Sequence, residues 1–244
     1  MKPVTTIDSA FDIYALSEQA ITVEFGNQIS EQFQQRVSFL NNLIYRNPFP
    51  GFYTTVPAYT TVTIFFDPVK VMESDDLSGK ICFDRITNYL ADLNNRYDRP
   101  TPQAPDTITI PVCYGGNFGP DLEELAESHH LTTEDVIVIH SSAIYKVYMI
   151  GFVPGFAYLG GMPELLTTPR KATPRKAIPP GSVGIAGGQT GVYPLETPGG
   201  WQIIGRTPLN MFDPKLSKPS LLKAGDMVKF RPVDIVEFNR LVNQ

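Results

Sequence analysis

Only two of the 244 residues are cysteine, Cys82 and Cys113. Two thiols cannot staple a disulfide scaffold or furnish a Cys-rich zinc site, so they read as free, partly buried groups in a reducing compartment. Histidine is scarce as well. His129 and His130 are adjacent and His140 stands alone, which leaves no helical His-x-x-x-His pair to hold a metal. Basic residues do not prevail, with 20 Lys and Arg against 25 Asp and Glu, and a net charge of −5 argues against a nucleic-acid partner. A membrane span needs about 20 mainly apolar residues. The most apolar window, 143–162, is interrupted by Lys146, Pro154 and several glycines. No apolar run follows Lys2 to make a secretory signal. The expectation is a cytoplasmic protein with no membrane contact and no bound metal.

Several catalytic signatures are missing too. There is no Gly-x-x-x-x-Gly-Lys-Ser/Thr phosphate loop and no Gly-x-Gly-x-x-Gly fingerprint. Ser182 lies in Pro180-Gly181-Ser182-Val183-Gly184, which is not the Gly-x-Ser-x-Gly elbow of hydrolases. Self-sufficient nucleotide, serine-hydrolase and zinc chemistries are therefore disfavoured.

What is present suffices for a packed core: 42% of residues are apolar and 18% charged. At about 100–200 residues per domain, the length suits one large domain or two small ones. The segment Arg99–Asp106 contains Pro100, Pro102 and Pro105, each fixing φ and removing an amide donor. It reads as a short stiff linker between domains at 1–100 and 106–244. In the first domain, Ser30 is a candidate N-cap. Phe33, Val37, Leu40 and Ile44 follow on one helical face, residues 52–66 alternate as a hairpin, and Ile86, Leu90 and Leu93 mark a second helix. The pattern predicts an α+β sandwich. In the second, Asp121 starts a short helix and Thr132 or Thr133 another. Prolines and glycines then punctuate short β runs to about Pro219, the pattern of a mainly β sandwich or barrel.

Charge is unevenly spread over this second half. Between Leu165 and Leu195 there is no acid, yet Arg170, Lys171, Arg175 and Lys176 all fall there, in the repeat Thr168-Pro169-Arg170-Lys171-Ala172, Thr173-Pro174-Arg175-Lys176-Ala177. Arginine grips a carboxylate or phosphate through two parallel hydrogen bonds, so an anion site or acidic docking surface is one reading. A solvated basic loop is the other. The turn 151–161 sets Phe152, Phe156 and Tyr158 among glycines and Pro154, where backbone can approach a ligand or simply pack tightly. Farther on stand Trp201 and Arg206. His140 follows an apolar helical run and suits either a buried structural role or proton transfer.

Taken in order, several segments resemble a known family. They are Pro111–Gly116, Phe118–Leu122, Gly151–Gly161, Pro169-Arg170, Pro174-Arg175, Pro180–Val183, Tyr193-Pro194, Pro198–Trp201 and Gly205–Pro208. They are similar to the B subunit of the bacterial 5-oxoprolinases, a family also labelled allophanate hydrolase subunit 1 and related to an inhibitor of a sporulation histidine kinase. The strong motifs cover residues 111–230. The resemblance implies an α+β N-terminal domain and a cyclophilin-like β-barrel, without isomerase activity. It implies the 5-oxoprolinase C and A subunits as partners, and ATP as co-substrate for opening 5-oxo-L-proline to L-glutamate at a composite site. Within that reading His140, Tyr158 and Arg206 are the candidate catalytic residues. Phe152, Pro154, Phe156, Arg170, Arg175, Gln189 and Trp201 are the candidate substrate-binding residues. The alternatives are a non-catalytic inhibitor of histidine-kinase autophosphorylation and a subunit acting on allophanate or another urea-derived substrate.

Overall fold

Alternation of apolar residues builds the first sheet. The computed structural model describes residues 4–7, 11–28, 30–96 and 107–242. Its first compact unit, residues 1–103, orders β1 (Val4–Ile7), β2 (Phe11–Ser17), β3 (Ala20–Glu24), α1 (Glu31–Arg46), β4 (Phe52–Pro57), β5 (Thr61–Phe66), α2 (Pro68–Glu73) and α3 (Cys82–Arg96). The strands pair antiparallel in the order β1-β2-β3-β5-β4. Ser30 caps α1, its hydroxyl accepting from the Phe33 amide at 3.3 Å. Val37, Leu40 and Ile44 of α1 and Ile86, Leu90 and Leu93 of α3 share one buried core with Val23, Val62, Ile64 and Phe66 of the sheet. The helical spacing seen in the sequence is thus core packing.

The second unit, residues 104–244, opens with β6 (Thr107–Tyr114), α4 (Leu122–Ser128), α5 (Thr133–Ser142), β7 (Ile144–Ile150) and β8 (Ala157–Gly160). It continues through β9 (Arg175–Ile178), β10 (Ser182–Ala186), β11 (Gln189–Val192), β12 (Thr197–Gly199), β13 (Gln202–Arg206), β14 (Met227–Pro232) and α6 (Ile235–Val242). Seven strands close into a barrel in the order β10-β11-β8-β7-β14-β6-β13. Only the β14–β6 pair within it is parallel. Closure leaves no unpaired edge, and Val112, Tyr145, Val147, Leu159, Val183, Ile185, Val192 and Phe230 fill a common core. Strands β9 and β12 form a separate ribbon. Thr132 starts α5 with a reciprocal cap: its hydroxyl accepts from the Asp135 amide at 3.1 Å while the Asp135 carboxylate accepts from the Thr132 amide at 2.9 Å.

An α+β unit followed by a barrel is the order expected from the sequence. The proline-rich segment 99–106, with the boundary placed there, lies outside the described residues. Cys82 and Cys113 are free thiols. Among the described residues, no helix is long and apolar enough to cross a membrane.

One loop shapes the surface beside the basic segment. Gly115 and Gly116 after β6 take left-handed φ values of 71° and 50°, and the Gly115 amide donates to the Ile204 carbonyl at 3.1 Å. A Cβ on Gly119 would lie 2.0 Å from that same carbonyl oxygen. Only glycine lets this loop lie so close against β13, which brings Asn117 and Phe118 beside Arg175 and Ala177 of the basic segment.

Candidate functional site

Asp121 precedes α4, but its side chain caps nothing. It is 2% exposed, and one carboxylate oxygen accepts from the Ile203 amide at 2.6 Å. The other accepts from Arg175 Nη2 at 2.6 Å and from Lys171 Nζ at 2.9 Å. Burial alone would raise the carboxyl pKa. The bonds from Arg175 and Lys171, with the Ile203 amide, outweigh it and hold the group below the usual range. The Lys171 ammonium is held above its ordinary value by Asp121 first and Glu124 second. Lys171 also reaches Gln202 Oε1 at 3.3 Å, and Gln202 Nε2 donates to the Pro169 carbonyl at 3.0 Å. Half of the basic repeat is therefore stitched to the barrel by one acid some 50 residues away in sequence.

Arg175 and Arg206 line a cavity of about 220 Å³ together with Asn117, Phe118, Pro120, Ala177, Ile178, Pro179, Ser182 and Ile203. Its floor is buried (Ile178, Ser182, Ile203) and its rim exposed (Asn117, Pro120, Ala177, Pro179). Arg206 is anchored by Nε, which donates to the Pro180 carbonyl at 2.8 Å. Its terminal amino groups have no partner among the described residues. Nη1 of Arg175 is buried without a hydrogen-bond partner. The Ser182 hydroxyl donates to the Pro179 carbonyl at 2.7 Å.

The aromatic turn goes elsewhere. Phe156 is buried and meets Tyr158, Tyr193 and Trp201 at centroid distances of 4.7, 5.1 and 5.4 Å. Phe152 is 59% exposed with a φ of 67°, a strained conformation for a bulky residue, and packs edge-on against Phe156. None of Phe152, Pro154, Phe156 or Trp201 lines the cavity. Ile178 and Ile203 belong both to the aromatic cluster and to the cavity wall, so the rings back the floor rather than face its contents. Burial raises the Tyr158 and Tyr193 hydroxyls, Tyr193 to about 12, while the Arg170 charge opposes both shifts. Arg170 therefore keeps company with Tyr158 and Tyr193, and it does not line the cavity that Arg175 and Arg206 share. Gln189 opens β11 opposite Ala186 and also lies outside the cavity lining.

His140 has no exposed surface. The Thr190 hydroxyl donates to the Gly184 carbonyl at 3.0 Å, so it accepts from His140 Nε2–H at 3.0 Å. Nδ1, left as an acceptor, takes the Tyr114 hydroxyl at 2.8 Å. The ring stacks on Phe230, and the Tyr145 hydroxyl donates to the His140 carbonyl at 2.7 Å. Burial lowers its pKa to about 3. Both nitrogens are occupied and the ring is neutral and sealed, the environment of a buried structural histidine rather than of an open proton-transfer group.

Residues 11–222 match the family described as "Carboxyltransferase domain, subdomain C and D". The chain is 46% identical over 224 residues to the 5-oxoprolinase B subunit of Bacillus subtilis (strain 168), covering 90% of this chain and 92% of that one. With the 5-oxoprolinase B subunit of Escherichia coli O157:H7 it shares 38% identity, over 90% of this chain and 94% of the relative. The chain belongs to the family of 5-oxoprolinase B subunits. Among solved structures, TTHA0988 superposes with a TM-score of 0.77 at 32% identity, over 88% of this chain. This chain spans only 40% of that longer one.

Within this member of the 5-oxoprolinase family, Arg175 and Arg206 line one cavity. Arg170, Tyr158 and the aromatic turn form a second neighbourhood, and His140 a third. Sequence reasoning missed Asp121 as a clamp, because an acid before a helix looks like a cap. Asn117 and Phe118 stand in or beside the family motifs, but nothing local marks them as cavity lining.

Proposed function

We propose that this chain is the B subunit of an ATP-dependent 5-oxoprolinase and supplies part of a composite site that opens 5-oxo-L-proline to L-glutamate. The observation that carries this reading is the placement of Arg175 and Arg206 on one small cavity in a chain of this family. In the reaction the lactam C–N bond breaks. A water oxygen joins the carbonyl carbon to complete a carboxylate, and the ring nitrogen gains a proton. Amides resist water, so the step is coupled to ATP hydrolysis. Charge developing on the carbonyl oxygen is stabilised best by fixed positive groups in a water-poor site. Arg175 and Arg206 bring two such charges to one cavity, and Arg206, held at Nε with both terminal amino groups facing no partner among the described residues, is left to grip an anionic part of the substrate. The C and A subunits complete the enzyme and supply the nucleotide machinery whose motifs this sequence does not contain. A cyclophilin-like barrel and a cytoplasmic location belong to the same reading.

The test is reconstitution from purified subunits. ATP-dependent release of L-glutamate from 5-oxo-L-proline is expected only when this chain is included. Arg206→Ala should lower kcat/KM by about 10- to 10²-fold, the loss expected for one charge-assisted pair. Full activity without this chain would end the proposal. So would suppression of histidine-kinase autophosphorylation with no glutamate formed, which places the chain among non-catalytic inhibitors.

A further inference from the structure

The cavity has a chemical character that the functional reading does not by itself specify. Its cations exceed its anions. Its lining holds two cations, Arg175 and Arg206, and no acid; Asp121 behind it is shared between Arg175 and Lys171, and Arg206 has no acidic partner among the described residues. The other nearby acid, Glu124, is 74% exposed, so water screens its pull on Lys171. The same lining includes Phe118, Ala177, Ile178 and Ile203, which are apolar. A drug-sized pocket takes about 300–1,000 Å³. At about 220 Å³ this one is too small for a nucleotide and suits a single small ring with one anionic arm.

We propose that the Arg175–Arg206 cavity is a carboxylate-binding subsite for a small cyclic acid, with the ring lying against Phe118 and Ile178. This deepens the functional reading above and rests on it, by naming the part of the substrate that this chain holds. The carboxylate lies in the fork of Arg206, whose Nε is already engaged by Pro180 and whose two terminal amino groups are left to donate in parallel. Arg175 contributes its charge from the side, and a small rotation would let its orphaned Nη1 meet a ligand oxygen. Asn117 at the rim offers an amide to the rest of the ring. Asp121 is the positioning residue: it fixes Arg175 without touching the ligand. A carboxylate fits better than a phosphoryl group. Guanidinium forks grip both anions, but the apolar lining of Phe118, Ile178 and Ile203 favours a carboxylate carried on an apolar ring over a fully polar phosphate.

The test is calorimetric titration of the full chain with four compounds: 5-oxo-L-proline, cyclopentanecarboxylate, 2-pyrrolidinone and inorganic phosphate. The two carboxylates should bind alike. Pyrrolidinone, which has the lactam but no carboxylate, should bind at least about tenfold more weakly, as should phosphate, the loss expected for one charge-assisted pair. Arg206→Lys keeps the charge but not the fork, and should weaken both carboxylates while leaving the circular-dichroism spectrum unchanged. Equal binding of pyrrolidinone, tighter binding of phosphate, no binding of either carboxylate, or indifference to Arg206→Lys would each overturn the subsite. The two proposals fail separately. Active reconstituted enzyme whose chain shows no carboxylate binding sinks only the subsite. Carboxylate binding without ATP-dependent glutamate release sinks only the functional reading.

Discussion

An Asp121→Ala chain is expected to lose about 3 kcal/mol of stability in its barrel unit. Removing one partner of a buried ion pair costs about 3–5 kcal/mol, because the other partner stays behind uncompensated. Here the loss strands the Ile203 amide, Arg175 and Lys171 together. The low end applies because the Lys171 and Arg175 side chains keep 22% and 29% of their exposure, so water partly replaces the carboxylate. Trp201, the only tryptophan, packs in the aromatic cluster behind the cavity and reports unfolding of this unit by fluorescence. The urea midpoint should fall with little change in slope. Asp121→Asn, which retains an acceptor for the Ile203 amide, should lose less. The Asp121 pKa is depressed in the folded chain, so its contribution is complete above about pH 4 and fades as pH falls below that value. Unchanged stability in Asp121→Ala would mean that the clamp does not organise the basic segment.

The second large effect appears on acidification. His140 is buried and neutral with a folded pKa of about 3, against about 6.5 when unfolded. A proton therefore binds the unfolded chain first. Stability due to this residue is whole above about pH 6.5 and falls by about 1.4 kcal/mol for each pH unit below it, reaching a loss of about 3 kcal/mol by pH 4. This window lies above the one for Asp121, so the two are separable. Trp201-detected unfolding across pH 4–7 should show the slope in the native chain and a flatter profile in His140→Gln. A native profile that is flat through this range would contradict the sealed, neutral assignment. The same placement means that no limb of an enzymatic pH profile should arise from His140.

Much of the local structure was legible because its causes are local. The Ser30 and Thr132 caps, the α1 stripe Val37–Leu40–Ile44 and the alternation Val62–Ile64–Phe66 all depend on residues within a turn or a strand of each other. What could not be read were long-range pairings. The parallel match of Thr107–Val112 with Met227–Pro232 joins strands more than 100 residues apart and decides how the barrel closes. Asp121 and its two cations lie some 50 residues apart, which is why the acid passed for a helix start and the basic repeat could be read as either an anion site or a solvated loop. The aromatic turn misled for a different reason: glycines beside rings signal close packing and ligand approach equally, and here Phe156 chose packing. Arg175 and Arg206 were visible as cations, but their shared cavity depends on Gly119 pressing its loop onto β13.

The placement of the two arginines is tested most directly by side-chain ¹⁵N NMR of the guanidinium groups during titration with 5-oxo-L-proline. The account predicts that the Arg206 signals shift and narrow first, that Arg175 follows with them, and that Arg170 stays still. Shifts confined to Arg170 and the rings of Tyr158 and Trp201, with Arg206 unmoved, would put the ligand in the aromatic neighbourhood and contradict it.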